Sequence, residues 1–76
     1  MKMGLENRLT DDLVRIASAG GGFQLNVATR MTDDLVRIAA AAKIGECQVI
    51  FTGMETRMTN DLVRIASAAQ GHVIFG

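Results

Sequence analysis

Apolar positions along the chain follow two alternating rhythms. In one, Leu13, Ile16, Ala17 and Gly20 recur at i, i+3, i+4 and i+7 while Arg15 and Ser18 point away, the stripe of an amphipathic helix. In the other, short runs are rich in β-branched and aromatic residues: Phe23-Gln24-Leu25-Asn26-Val27, Cys47-Gln48-Val49-Ile50-Phe51 and His72-Val73-Ile74-Phe75. These runs predict strands.

The helical stripe is repeated. Thr10-Asp11-Asp12-Leu13-Val14-Arg15-Ile16-Ala17 recurs from Thr32 to Ala39, and again from Thr59 to Ala66 with Asn60 in place of the first aspartate. Each copy follows an arginine and an apolar residue: Arg8-Leu9, Arg30-Met31 and Arg57-Met58. Self-similarity at a period of twenty-odd residues is the mark of a repeat architecture. Leu13 to Leu35 is 22 positions and Leu35 to Leu62 is 27. The five extra residues are expected in two loops, three between Phe51 and Arg57 and two near Lys43 to Glu46.

Threonine at positions 10, 32 and 59 has the chemistry of a helix N-cap, and the aspartates that follow suit the positive end of the helix dipole. Leu9, Met31 and Met58, just before the cap, are spaced from Val14, Val36 and Val63 as a hydrophobic staple requires. They are expected to pack. Gly20, Gly45 and Gly71 are expected as positive-φ stops.

Sliding the first repeat back by 22 positions sets Met3 under Leu25 and Leu5 under Val27, so Met1 to Leu5 is expected to be a further strand. The predicted fold is α/β: three repeats in the order β-α-β-α-β-α-β, a four-stranded parallel sheet in chain order, and helices on one face. It fills a single domain over residues 1–76, with repeats at about 1–22, 23–44 and 45–71 and a closing strand at 72–76. Leu5, Val27, Phe51 and Phe75 should share one inward rung, and Met3, Leu25, Val49 and Val73 the next. The outward rungs should be Lys2, Gln24, Gln48 and His72, then Gly4, Asn26, Ile50 and Ile74. The chain resembles leucine-rich repeats in period and element order only. The pattern of closely spaced leucines followed by an asparagine is not present. That resemblance implies a broad sheet face of the type that binds proteins.

Composition narrows the function. Eight basic side chains balance eight acidic ones, so no net field attracts nucleic acid or an anionic membrane. A lone cysteine, Cys47, cannot close a disulfide within the chain, and no apolar run approaches membrane-spanning length. With no secretory signal in Met1 to Thr10, the expected compartment is the cytoplasm.

Candidate chemistry is sparse. The expected rungs send Cys47 inward and His72 outward, which separates the thiol and imidazole that a nucleophile–base pair or a shared metal site would need. Asp11-Asp12 and Asp33-Asp34 occupy adjacent helix positions that point different ways, and they suit the helix dipole or i,i+4 pairs with Arg15 and Arg37. Arg8, Arg30 and Arg57 should stack as a column neutralised by those aspartates. A phosphate site at the converging helix starts is opposed by the same aspartates. Gly20-Gly21-Gly22 follows a helix where a phosphate cradle would precede one. No catalytic residue, metal or cofactor is expected.

What remains is association. A parallel sheet is normally covered on both faces, and this chain has helix enough for one. The closing strand lacks the charges or proline that blunt an edge, and no polar capping repeat follows it. The expected function is therefore self-assembly through strand edges or the open sheet face, a dimer being commonest. Binding of another protein on that face, as an inhibitor or immunity protein would do, is the alternative. The candidate interface is Gln24, Asn26, Gln48, Ile50, His72, Val73, Ile74 and Phe75. Near-identity of the repeats fits either a designed or a recently duplicated sequence.

Overall fold

Helices begin where the recurring threonines stand. The computed structural model describes residues 8–76, and in it the three segments open α1 (Thr10–Ser18), α2 (Thr32–Gly45) and α3 (Thr59–Ala69). The apolar runs between them form β1 (Phe23–Asn26), β2 (Val49–Thr52) and β3 (Val73–Phe75). Both strand pairs are parallel, in the order β1-β2-β3. The described residues thus make an α/β fold of three helices and a three-stranded parallel sheet. The expected fourth strand, Met1 to Leu5, with its inward Met3 and Leu5 and outward Lys2 and Gly4, lies outside the described residues.

Alternation along the strands decides which face is covered. Leu25, Val27, Val49 and Phe51 are fully buried, whereas Gln24 and Asn26 are exposed and Ile50 and Thr52 half-exposed. All three helices therefore pack on the Leu25–Phe51 side. α2 lies between α1 and α3, and this central place explains its composition. Ile38, Ala39, Ala41 and Ala42 are all buried, because a helix flanked on two sides and backed by a sheet presents little surface to water. Small alanines let its neighbours approach closely.

The strand register departs from expectation by two residues at β1. Phe23, Gln24, Leu25 and Asn26 lie beside Val49, Ile50, Phe51 and Thr52, so Leu25, and not Val27, shares the rung of Phe51. The β2–β3 register is as expected, with Val49, Ile50 and Phe51 beside Val73, Ile74 and Phe75. A two-residue shift keeps every side chain on its own face, since the strand period is two. Its cause is the length of α2. Thr10 to Phe23 is 13 positions and Thr32 to Val49 is 17, so four of the five extra residues precede β2 and only one follows it.

The helix starts also differ in detail. Leu9, Met31 and Met58, each extended with ψ near 150°, occupy the N-cap, and the threonines are the first helical residues with no capping bond. The expected staple does not close: Leu9, Met31 and Met58 are 71–72% exposed. At the helix ends, Gly20 and Gly71 take positive φ, but Gly45 does not. Glu46 and Gln70 are the left-handed caps of α2 and α3.

Candidate functional site

Three candidate surfaces follow from this arrangement: the row of helix starts, the uncovered sheet face, and the outer flanks of α1 and α3. At the helix starts the arginines do form a column, but aspartates are not what balances it. Arg30 donates from one guanidinium nitrogen to Thr10 Oγ1 at 3.1 Å and from the other to the Arg8 carbonyl at 2.7 Å. Arg57 repeats the pattern, donating to Thr32 Oγ1 at 3.0 Å, to the Val27 carbonyl at 2.7 Å and to the Arg30 carbonyl. The planar fork of arginine suits two acceptors at once. Thr10 and Thr32 each serve the arginine ahead of the following helix; among the described residues no helix follows α3, and Thr59 has no such arginine.

Asp11 and Asp33 pair between helices instead of along them. Arg37 meets Asp11 at 2.5 Å and Arg64 meets Asp33 at 2.8 Å, while Arg64 also lies 4.0 Å from Asp61 on its own helix. The expected Asp11–Arg15 and Asp33–Arg37 pairs are thus replaced by Asp11–Arg37 and Asp33–Arg64. With their guanidinium groups engaged by carbonyls, hydroxyls and carboxylates, Arg30, Arg37, Arg57 and Arg64 offer an anion little unspent charge.

Across the uncovered sheet face, three rows run perpendicular to the strands. Gln24, Ile50 and Ile74 form the middle row. Asn26 and Thr52 form the next, and the Asn26 side-chain oxygen also accepts the Ala28 amide at 3.0 Å. Gln48 and His72 precede β2 and β3, and Gln48 Nε2 donates to the Gly71 carbonyl at 3.0 Å. Six of the eight candidate interface residues therefore share this side of the sheet: Gln24, Asn26, Gln48, Ile50, His72 and Ile74. Val73 and Phe75 face the helices at the edge, Phe75 remaining 38% exposed.

Cys47 and His72 adjoin, as the expected β2–β3 register implies, though not through their reactive atoms. Cys47 is buried, and its thiol donates to the Ala17 carbonyl at 3.4 Å. His72 is half-buried, and its Nδ1 lies 2.9 Å from the Cys47 carbonyl. A carbonyl only accepts, so Nδ1 carries the proton there. The imidazole, expected to point outward, is tied to the β2 entry. Among the described residues, no group of three or more His, Cys, Asp or Glu is placed to hold a metal ion, and no helix is long and apolar enough to cross a membrane.

One feature escaped the pattern of the sequence. On the outer flank of α1, Arg8, Asp12, Arg15, Ile16 and Ala19 line an open depression. On the opposite flank of the helix layer, Val63 of α3 is 55% exposed. Identical helix segments conceal this asymmetry, because it depends on which helix has a neighbour. No protein-family model matches the chain, and neither a curated protein nor a solved structure matches it.

Proposed function

We propose that this chain is a short α/β solenoid that works as a non-enzymatic assembly module, associating with copies of itself. One observation carries the reading: among the described residues β3 is an edge strand with an unblunted outer side. Val49 donates to the His72 carbonyl, and the Gly76 amide donates to the Phe51 carbonyl. In a parallel ladder this places the polar groups of residues 72, 74 and 76 toward β2 and those of Val73 and Phe75 away from it. An apolar three-residue edge with no charge, proline or bulge is a template for further pairing.

Sedimentation or light scattering over a concentration series tests the reading. Mass should rise with concentration for the unaltered chain. Val73→Pro removes an outward N–H while leaving the β2 ladder intact, so it should weaken association without unfolding the monomer. A chain that stays monomeric into the millimolar range would sink the proposal.

A second reading has its own support. Ile50 and Ile74 sit side by side on the sheet face that no helix among the described residues covers, where a different protein could bury them. Ile50→Lys separates the two readings. It should abolish capture of such a partner, yet leave association through the β3 edge in place.

A further inference from the structure

Helices α1, α2 and α3 meet through one set of contacts used twice. At the α1–α2 junction, Arg30 reaches Thr10 Oγ1 and the Arg8 carbonyl, and Arg37 reaches Asp11. At the α2–α3 junction, Arg57 reaches Thr32 Oγ1 and the Arg30 carbonyl, and Arg64 reaches Asp33. Apolar side chains follow the same scheme. Val14 and Val36, on the donating flanks of α1 and α2, pack against the core. On the receiving flanks Ile38 and Ile65 are fully buried, Ala41 is 2% exposed, and Ala68 packs against the core.

The two outer flanks of the helix layer are the two halves of that junction. The outer side of α1 presents the receiving half: Arg8, Arg15, Ile16 and Ala19, which correspond to Arg30, Arg37, Ile38 and Ala41, around the open depression. Its Arg15 makes no ion pair among the described residues. The outer side of α3 presents the donating half: Thr59, Asn60 and Val63, corresponding to Thr32, Asp33 and Val36. We infer that α3 of one copy docks on α1 of the next, head to tail. Val63 fills the depression over Ile16 and Ala19, Arg8 donates to Thr59 Oγ1 and the Arg57 carbonyl, and Arg15 meets the Asn60 amide oxygen. The occupant is a second copy of this chain, because only the same junction offers this register of donors and acceptors twice over. Such an interface is heterologous, so it propagates as an open stack or closes as a ring.

Asn60 marks the joint as weaker than those inside the chain. Where Arg37 and Arg64 find carboxylates, Arg15 would find an amide, which replaces an ion pair with a neutral acceptor. Reversible association is the consequence.

This inference rests on the proposed self-association, and the test keeps the two apart. Ala19→Arg obstructs the receiving flank and Val63→Glu the donating flank; both positions are exposed, so each variant should fold with the circular dichroism of the parent. Each alone should lose association by at least about tenfold, as expected when a packed central contact is disrupted. Mixed, they should form a 1:1 heterodimer that grows no further, since the mixture retains one intact flank of each kind. Asn60→Asp should tighten association about two- to fivefold, the range for an exposed ion pair. If the parent chain associates but both blocking variants do so equally well, head-to-tail docking is wrong while self-association through the sheet stands. Variants that lose association yet fail to combine would also overturn it, by indicating a two-fold symmetric contact. A parent chain that never associates removes both proposals.

Discussion

At Gly45 an added Cβ would overlap the Ala17 carbonyl oxygen and lie 2.8 Å from the Gly20 amide nitrogen. Gly45 is thus kept small by the approach of α2 to the end of α1, and the left-handed turn that a glycine usually supplies falls one residue later, on Glu46 with φ 55°. Two opposite outcomes follow for neighbouring positions. Gly45→Ala should destabilise by roughly 2–3 kcal/mol, because backbone must move to admit the methyl. Glu46→Gly should stabilise by about 0.5–1 kcal/mol by relieving a non-glycine residue in the left-handed region. Urea denaturation of the two variants checks both signs. Reading a glycine as a helix stop from sequence cannot separate these roles, since both look like a glycine after an apolar run. Arg57 illustrates the same limit. Its sequence context matches that of Arg8 and Arg30, yet in the fold its guanidinium holds three acceptors and its buried Nε has no partner.

Elements were legible in kind but not in their joints. Leu13, Ala17, Leu35, Ile38, Ala39, Ile65 and Ala69 are buried, as the 3.6-residue period requires of one helix face. Strand faces followed from alternation in the same way. The staple failed for a reason visible only in three dimensions: with the threonines inside the first turn, the preceding side chain leaves the helix before it can fold back on the core. Exposed apolar residues there contribute little to stability. Met31→Gln should therefore change the unfolding free energy by no more than about 0.5 kcal/mol. Ile38→Ala, on the same helix but fully buried, should cost about 2–5 kcal/mol through lost burial and a cavity. Chemical denaturation of this pair is a direct check, and equal losses would mean that Met31 is packed after all. Most of the extra residues fall before β2, with the longer α2, and not in the two expected loops, for a related reason. Loop and helix are hard to tell apart where Ala39 to Lys43 continues a helix-favouring run, and the longer α2 moved β2 along its neighbour.

On the scale of the whole molecule, the proposed association would be coupled to stability. A 76-residue chain buries only about 60–65% of its unfolded surface and has little margin. Any copy that covers Val63, Ile16 or the β3 edge therefore adds a noticeable share. Binding to the folded state alone raises stability by mass action, up to about 1.4 kcal/mol for each tenfold rise in concentration above the dissociation constant. For a domain of this size that is on the order of 5 °C or more. Differential scanning calorimetry from the micromolar to the millimolar range should show the midpoint climb. A midpoint indifferent to concentration would leave the outer flanks without a partner among copies of the chain. Arg30, Arg37, Arg57 and Arg64 are already engaged by threonines, carbonyls and aspartates, whereas Arg8 and Arg15 line the open flank of α1.

By itself the sequence determined the number and order of the described elements, the parallel class of the sheet, and which side of each strand and helix faces inward. Element kind and face follow from local periodicity, since a period of two or 3.6 residues is written in the chain whatever its neighbours do, and the parallel class follows from the alternation of strand and helix. Only the tertiary structure decided the β1 register, the acceptors of each arginine, the exposure of Leu9, Met31 and Met58, and the unlike flanks of α1 and α3. Three almost identical segments meet different surroundings, and the surroundings are set by packing between positions that lie 20 to 31 residues apart along the chain.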